Sequence, residues 1–253
     1  MSFFAMVCSG LEGLIPILAV VFLVILMTKK KSFSFKPFGV GILVFVVFAK
    51  ALESILHLIV LVGNHTTSAY FGKHPFVFAL YAALAAGIFE EVGRYFAFRI
   101  MLKRFRQWKD GISYGLGHGG IEALLIGTVA SIEAIVFGVL VNSGKFPRDI
   151  PATVSSQILI LVHQPGYFFL IGMMERLMAI CIQIALSLIV LYCVRKRKIV
   201  FLFLSIGLHT VTDFVPALYQ AHVANLLGVE GTLLILSILS ILFIVRSKRF
   251  YLN

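Results

Sequence analysis

Seven long apolar runs, separated by short polar segments, constrain the fold of this chain more than any other feature. Each run reaches the roughly 20 residues that an α-helix needs to cross about 30 Å of hydrocarbon. With 60% hydrophobic and 13% charged residues among 253, the chain is too apolar for a soluble domain, which is about a quarter charged. The predicted spans are 9–28, 38–62, 76–101, 112–141, 166–194, 199–219 and 226–245.

An eighth apolar run, 150–163, is too short to span and predicts an interfacial or re-entrant helix. The sequence therefore predicts an all-α integral membrane protein with about seven transmembrane helices plus this short one. We expect a single polytopic membrane domain over 1–253 with an active-site core over 76–219. The lipid bilayer is its expected partner. The net charge of +11 does not indicate nucleic-acid binding, because the basic residues form short clusters between apolar runs.

The basic residues predict the orientation of the helices. Of the 22 Lys and Arg residues, 15 form clusters at 29–36, 103–109, 195–198 and 246–249, all on one side of a seven-span bundle. Short loops rich in Lys and Arg stay cytoplasmic, so we expect the N-terminus outside and the C-terminus in the cytoplasm. The loops on the opposite side, near 63–75, 142–165 and 220–225, contain only three Lys or Arg residues: Lys73, Lys145 and Arg148.

Many acidic residues, unlike the basic ones, lie inside the predicted spans. Ionised groups cost free energy in hydrocarbon and mark a functional interior by default. Basic partners at these depths are few, namely Lys50, Arg94 and Arg176. The remaining carboxylates must be protonated, hydrogen-bonded to histidine, hydrated by water in a cavity or bound to a metal. Each of these alternatives requires a polar pocket. The carboxylates that stand out are Glu53, Glu90, Glu91, Glu122, Glu133, Glu175 and Asp213.

The third span carries the first of three motifs, Glu90-Glu91-x-x-Arg94. Residues three and four apart share a helix face, so Arg94 is placed to keep one of the two carboxylates ionised. The other carboxylate is crowded by a like charge, an arrangement typical of a general base. The motif therefore predicts a base with a supporting ion pair beside it.

The fourth and sixth spans each place a histidine four residues before an acid, on one helix face. The pairs are His118 with Glu122 and His209 with Asp213. Four glycines flank His118 and predict either close helix packing or a gap for water and substrate. Glu133 is expected to return to nearly the face of Glu122. We estimate depth from the cytoplasmic end of each span at about 1.5 Å per residue. All three motifs then lie in the cytoplasmic half of the membrane, no deeper than about its midplane, which predicts one site.

Two other polar sets are more typical of structure than of chemistry. Glu53 is spaced to pair with Lys50 and His57 on its own helix. Glu175 and Arg176 are adjacent, and adjacent residues on a helix do not face each other, so each needs a partner elsewhere. We expect both sets to hold helices together.

Together, the three motifs resemble the YhfC family of bacterial intramembrane metalloproteases, related to the CAAX-protease and bacteriocin-processing superfamily. The resemblance runs from about the third span to the sixth, and Gly-x-Gly-His-Gly-Gly-x-Glu at 115–122 is its most specific part. It implies a multi-pass protein of the bacterial plasma membrane that cleaves a peptide or membrane-protein substrate.

The resemblance also implies roles for single residues. Glu90 and His118 resemble the pair that activates a water in the wider superfamily, and His209 resembles the group that stabilises the oxyanion. Glu91 with Arg94 would be the supporting ion pair. The candidate catalytic residues are Glu90, Glu91, Arg94, His118, Glu122, His209 and Asp213.

Two departures from the superfamily pattern bear on the site. Two residues separate the glutamate pair from Arg94, where the superfamily has three, and this rotates Arg94 about its helix. Gln183 follows the Glu175–Arg176 pair where some relatives are expected to carry a histidine. A metal site that required that histidine would lose a ligand here.

The main hypothesis is hydrolysis of a peptide bond at a polar pocket in the cytoplasmic half of the membrane. Glu90 and His118 would activate the water, and a carboxylic acid would protonate the leaving amine. The cofactor stays open between no metal and Zn²⁺ on His118, His209 and Glu90, a three-ligand open site. Two alternatives are a proton-coupled transporter, since such residues also build proton relays, and a non-catalytic peptide-binding or immunity protein. The chain lacks the inverted repeat typical of transporters.

Overall fold

The computed structural model describes residues 1–146 and 149–251, and within them the chain is helical without strands. Seven of its helices are long and apolar enough to cross a membrane, which confirms the predicted all-α, multi-pass fold class. In chain order the helices are α1 (Phe3–Lys29), α2 (Phe35–Val62), α3 (His65–Lys73), α4 (Pro75–Met101), α5 (Trp108–Asn142), α6 (Ala152–Val162), α7 (Gly166–Lys196), α8 (Val200–Gln220) and α9 (Leu226–Tyr251).

The two short helices lie between spans. Helix α6 has 11 residues, about 16 Å at 1.5 Å per residue, and corresponds to the short helix predicted over 150–163. Helix α3 corrects the assignment of 63–75 to a loop. The side chain of Asn64 caps α3 by accepting a hydrogen bond from the backbone N–H of Thr67 at 3.0 Å. Arg148, assigned to the loop before α6, lies outside the described residues.

The connections that carry the basic clusters meet at one end of the bundle, called the basic end below. Ser34, before α2, donates to Asp110 in the first turn of α5 at 2.6 Å. Trp108 of α5 donates through Nε1 to Ser247 near the end of α9 at 3.0 Å. Arg195 near the end of α7 donates to the carbonyl of Tyr251 at 3.0 Å. The clusters therefore share one end of the structure, as the orientation argument requires.

Helix α7 is the most buried of the seven spans and contacts α1, α4, α5, α8 and α9. Helix α5 packs between α7 and α2 through its glycines. A Cβ at Gly115 would lie 2.6 Å from the Cα of Ile184 in α7, and a Cβ at Gly117 would collide with the carbonyl of Phe38 in α2. Of the two alternatives for these glycines, the structure therefore has the close packing.

A π-helical turn at Ala123–Thr128 interrupts α5 directly after Glu122. A π turn takes i→i+5 hydrogen bonds, so it shifts the face on which later residues lie. Glu133 is consequently exposed on the outside of the bundle, and the expectation that it returns to the face of Glu122 is wrong. The regular helical spacing that the expectation assumed does not hold across this turn.

Candidate active site

Helices α4, α5 and α8 bring the three sequence motifs together. The Nε2 atom of His118 lies 2.7 Å from Oε2 of Glu90. The Nδ1 atom of His209 lies 2.7 Å from Oε1 of Glu91, and its Nε2 lies 3.6 Å from Oε2 of Glu90. The two histidines therefore flank one pair of adjacent glutamates. Each histidine contacts a different member of the pair at hydrogen-bond distance.

One part of the site is closed to solvent, and we call it the buried hub: Glu91, Arg94, Ser205 and His209. The carboxylate of Glu91 accepts from the guanidinium of Arg94 and from the hydroxyl of Ser205, the latter at 2.5 Å, and it faces His209. All four residues are at most 2% exposed. A buried carboxylate with three hydrogen-bond partners is compensated, so the hub is suited to holding its neighbours in place.

Gln183 of α7 links the hub to the remaining carboxylates. Its Oε1 accepts from Arg94 at 2.5 Å, and its Nε2 donates to Glu90 at 3.2 Å and to Glu122 at 2.7 Å. Because a guanidinium can only donate, Arg94 fixes which end of the amide points to the carboxylates. Gln183 thus holds Glu90 and Glu122 side by side.

The other part of the site is a cavity of about 400 Å³, called the chamber below, between α2, α4, α5, α7 and α8. Glu90 and Glu122 lie at its inner wall. The chamber is mixed in character, with small apolar residues such as Ala83 beside ionisable groups. The ionisable residues that line it are Lys50, Glu53, His57, Glu90, Glu122, Glu175, Arg176 and Asp213.

The chamber extends from Glu90 away from the basic end. On α4, whose last turn is at the basic end, the lining residues run from Glu90 back to Ala82. On α8, which begins at the basic end, they run from Thr212 to Gln220, the last residue of the helix. The chamber therefore lies between the glutamates and the end of the bundle opposite the basic clusters.

Glu90 and Glu122 at the wall of the chamber and the fully buried His118 are grouped closely enough to share a metal ion. One donor atom each of Glu90, His118 and Glu122 lies within 4.8 Å of the other two. Two carboxylates and one imidazole are a donor set that Zn²⁺ accepts, with bond lengths of about 2 Å. The ring of His118 packs edge-on against Phe45, with centroids 5.1 Å apart. Glu122 joins the predicted ligands Glu90 and His118, and His209 as a ligand stays a prediction.

The remaining predicted residues lie at the edge of the chamber. Asp213 is 3.4 Å from Nε2 of His209, with 39% of its side chain exposed. Arg176 lies 3.7 Å from Glu122 and also pairs with Glu175, although adjacent residues were not expected to meet.

The expected pair of Glu53 and His57 forms, at 3.2 Å, and His57 extends it to the hydroxyl of Tyr81 at 3.0 Å. This chain of three polar groups runs from α2 to α4. Because Glu53 and His57 also line the chamber, the pair is part of its wall as well as a contact between helices.

Sequence reasoning missed several polar groups of the interior. Ser205 was not singled out, although it precedes His209 by four residues and so shares its helix face. Glu12 and Glu230 also lie within spans, in α1 and α9. The role of Gln183 had no sequence signal, because its three partners come from two other helices.

Comparisons with known proteins agree with the motifs. A family described as "YhfC intramembrane metalloprotease" matches residues 14–233. A protein of Bacillus subtilis (strain 168) described as "Uncharacterized membrane protein YhfC" is 39% identical over 253 residues, which covers 98% of each chain. No solved structure matches the chain significantly.

Proposed function

Because this chain belongs to the YhfC intramembrane metalloprotease family, we propose that it hydrolyses a peptide bond of a peptide or membrane protein within the bilayer. One observation carries the proposal: Glu90, paired with His118 at 2.7 Å, lines a chamber within a bundle of membrane spans. A carboxylate beside enclosed space can contact water and substrate, whereas the adjacent Glu91 is enclosed by the hub.

Glu90 is the proposed general base. His118 and Gln183 contact the same oxygen, Oε2, from two sides, at 2.7 and 3.2 Å. This double contact fixes the carboxylate. Its Oε1 makes no hydrogen bond to the described residues, so it is available to a water molecule in the chamber. A base within hydrogen-bond reach of water is the geometry that proton abstraction needs.

His209 is the proposed stabiliser of the oxyanion. Its Nδ1 is anchored on Glu91 at 2.7 Å, and its Nε2 faces both Glu90 and Asp213. An imidazole that is held by a carboxylate on one nitrogen presents the other nitrogen in a fixed direction. Asp213 is partly exposed and contacts the same Nε2 atom from the open side of the chamber. The proton that Glu90 takes from the water would pass to the leaving amine.

The residues present also fit a divalent metal such as Zn²⁺, which Glu90, His118 and Glu122 would hold. When bound, such an ion supplies Lewis-acid activation of a carbonyl. The outer partners that orient a ligand are present for Glu122, with Gln183 at 2.7 Å and Arg176 at 3.7 Å. Gln183, which stands where a histidine was expected, thus has a place in the site as a hydrogen-bond donor.

We further propose that the substrate reaches the site from the extracytoplasmic side. The chamber extends away from the basic end, and loops rich in Lys and Arg stay in the cytoplasm. The expected depth of the site, in the cytoplasmic half of the membrane, stays a prediction and is separate from the direction of access.

The chemistry is tested by comparing cells that produce the wild-type protein with cells that produce Glu90→Gln. Mass spectrometry compares the N-termini of membrane proteins and peptides from the two kinds of cells, and an N-terminus found only with the wild-type protein identifies a cleavage site. A synthetic peptide that spans this site is then added to the purified protein. We expect the new N-termini and the purified activity only with the wild-type protein. The control is Glu133→Gln, which changes an exposed intramembrane glutamate outside the chamber and should keep the activity.

The comparison tests two questions separately: whether the protein hydrolyses peptides, and whether Glu90 acts as a metal ligand or as the base. Identical N-termini in wild-type and Glu90→Gln membranes would contradict the proposed hydrolysis. Zinc content of the purified proteins separates the two roles of Glu90: loss of zinc in Glu90→Gln assigns it as a ligand, and retained zinc with lost activity assigns it as the base. The variant Glu122→Gln provides the matched measurement for the other carboxylate.

The direction of access is tested independently of activity. In a chain whose three cysteines are replaced by alanine, Gln220→Cys places a thiol at the mouth of the chamber and Lys103→Cys places one at the basic end. A membrane-impermeant maleimide added to intact cells should label Gln220→Cys and leave Lys103→Cys unlabelled until lysis. The reverse pattern would overturn the access proposal while leaving the chemistry intact.

A further inference from the structure

A second polar pocket, of about 560 Å³, lies at the basic end and is separate from the chamber. It is formed where α4 and α7 end and α8 begins, and we call it the arginine pocket. Three of its lining residues are arginines, and none carries a carboxylate. The lining residues are Tyr95, Arg99, Arg106, Cys193, Val194, Arg197 and Ile199.

The charge of the arginine pocket is not neutralised by the described residues. Arg99 donates to the hydroxyl of Tyr95, and Arg106 donates to the backbone carbonyl of Phe98. Both acceptors are uncharged. Among residues 1–146 and 149–251, neither these two arginines nor Arg197 lies within salt-bridge distance of a carboxylate. Three guanidinium groups around one space are therefore suited to an anion, and above all to phosphate, which arginine binds through paired N–H groups.

The backbone at Arg197 provides a way to test the pocket. Arg197 ends α7 in the left-handed region, with φ 56° and ψ 34°. Glycine takes this conformation without steric cost, and it is the usual residue at such a helix end. An arginine there retains backbone strain, and Arg197 lines the pocket. A glycine would relieve the strain and remove the charge.

The surroundings of the pocket favour a lipid over a free anion. Large apolar side chains face outward next to it, on α4 at Phe96 and Ile100 and on α8 at Val200 and Phe203. These residues lie in the first or last two turns of membrane spans, the level at which headgroups give way to acyl chains. A phosphate in the pocket would place acyl chains along this apolar surface.

We propose that the arginine pocket binds the phosphate group of an anionic phospholipid on the side of the membrane that holds the basic clusters. Basic pockets between transmembrane helices bind such headgroups through charge and hydrogen bonds. The bound lipid would join the ends of α4, α7 and α8, the three helices that carry Glu90, Gln183 and His209. The binding site itself does not depend on the proposed protease activity.

The test uses the purified full-length protein in neutral detergent and measures binding of phosphatidylglycerol and phosphatidylcholine with identical acyl chains by native mass spectrometry. The wild-type protein should prefer phosphatidylglycerol by on the order of tenfold or more, since each nearby basic residue contributes about 1 kcal/mol of attraction. The triple variant Arg99→Gln, Arg106→Gln, Arg197→Gln should lose this preference. The control is Lys103→Gln, Arg104→Gln, Lys196→Gln, which removes as much charge from the same end outside the pocket and should keep it.

Three further outcomes complete the test. An equal loss of preference in the control variant would overturn the pocket in favour of general surface charge. Displacement of bound lipid by an equal concentration of glycerol phosphate would overturn the lipid as the source of the phosphate. If the triple variant does not fold, Arg197→Gly serves instead: it should weaken the preference without lowering the melting temperature, and an unchanged preference would overturn the proposal.

Discussion

Two adjacent buried glutamates, Glu90 and Glu91, have different surroundings. Glu91 belongs to the buried hub and is surrounded by Arg94, Ser205 and His209. Glu90 lies at the wall of the chamber, and the Nε2 group of Gln183 donates to both Glu90 and Glu122. Two residues of one type, next to each other in the sequence, are thus divided between support and the proposed chemistry. Which helix each one faces decides the difference.

The largest expected effect comes from breaking the hub. Arg94→Leu leaves Glu91 buried without its cation, and removing one partner of a buried ion pair costs about 3–5 kcal/mol. We expect a large drop in the melting temperature of the purified protein, measured by the fluorescence of a thiol-reactive or apolar dye. The control Arg104→Leu, at an exposed position, should unfold like the wild type. Equal stability of the two variants would show that the hub does not hold the bundle together.

The two glutamates themselves provide the sharpest comparison. Glu90→Gln should lower the rate on the identified peptide by about 10²–10⁴-fold, the usual contribution of a general base, and should leave the melting temperature near that of the wild type. Glu91→Gln removes the charge that compensates Arg94 and should lower both stability and activity. If Glu90→Gln proved as unstable as Glu91→Gln, the division between hub and chamber would be wrong.

Most of the fold could be predicted from the sequence because one physical constraint dominates it. A helix must present about 20 apolar residues to cross the hydrocarbon, so the spans are readable from local composition. The helix α3 was missed because it depends on the cap that Asn64 supplies. The face of Glu133 was missed because the π turn at Ala123–Thr128 has no simple sequence signal.

The candidate site was predictable in its charged members and not in its neutral ones. Glu90, His118 and His209 stand out because ionisable groups in a membrane are rare. Ser205 and Gln183 are uncharged and give no such signal, and only the packing of α7 and α8 against α4 brings them to the carboxylates. The direction of the chamber was not predictable at all, because depth along a helix does not tell on which side the helices separate.

A smaller effect is expected at Gln183, where hub and chamber meet. Gln183→Leu removes the donor to Glu90 and Glu122 at similar size, and losing such an outer partner typically costs 10–100-fold in activity or metal affinity. We expect this loss in both the rate and the zinc affinity, with little change in KM. The control Ser187→Ala removes a buried hydroxyl that bonds only the backbone of Gln183 at 2.7 Å and should affect neither quantity. Unchanged zinc affinity and rate in Gln183→Leu would separate Gln183 from the site.

The smallest effect is expected at Asp213, on the open side of the chamber. Its contact with His209 is long, at 3.4 Å, and 39% of its side chain is exposed, so water competes with His209 for the carboxylate. A single hydrogen bond of this kind contributes about 1 kcal/mol, and Asp213→Asn should therefore lower the rate on the identified peptide roughly fivefold. His209 stays in place because Glu91 holds its other nitrogen at 2.7 Å. A loss as large as that of Glu90→Gln would assign Asp213, one helix turn after His209 on α8, to the chemical step.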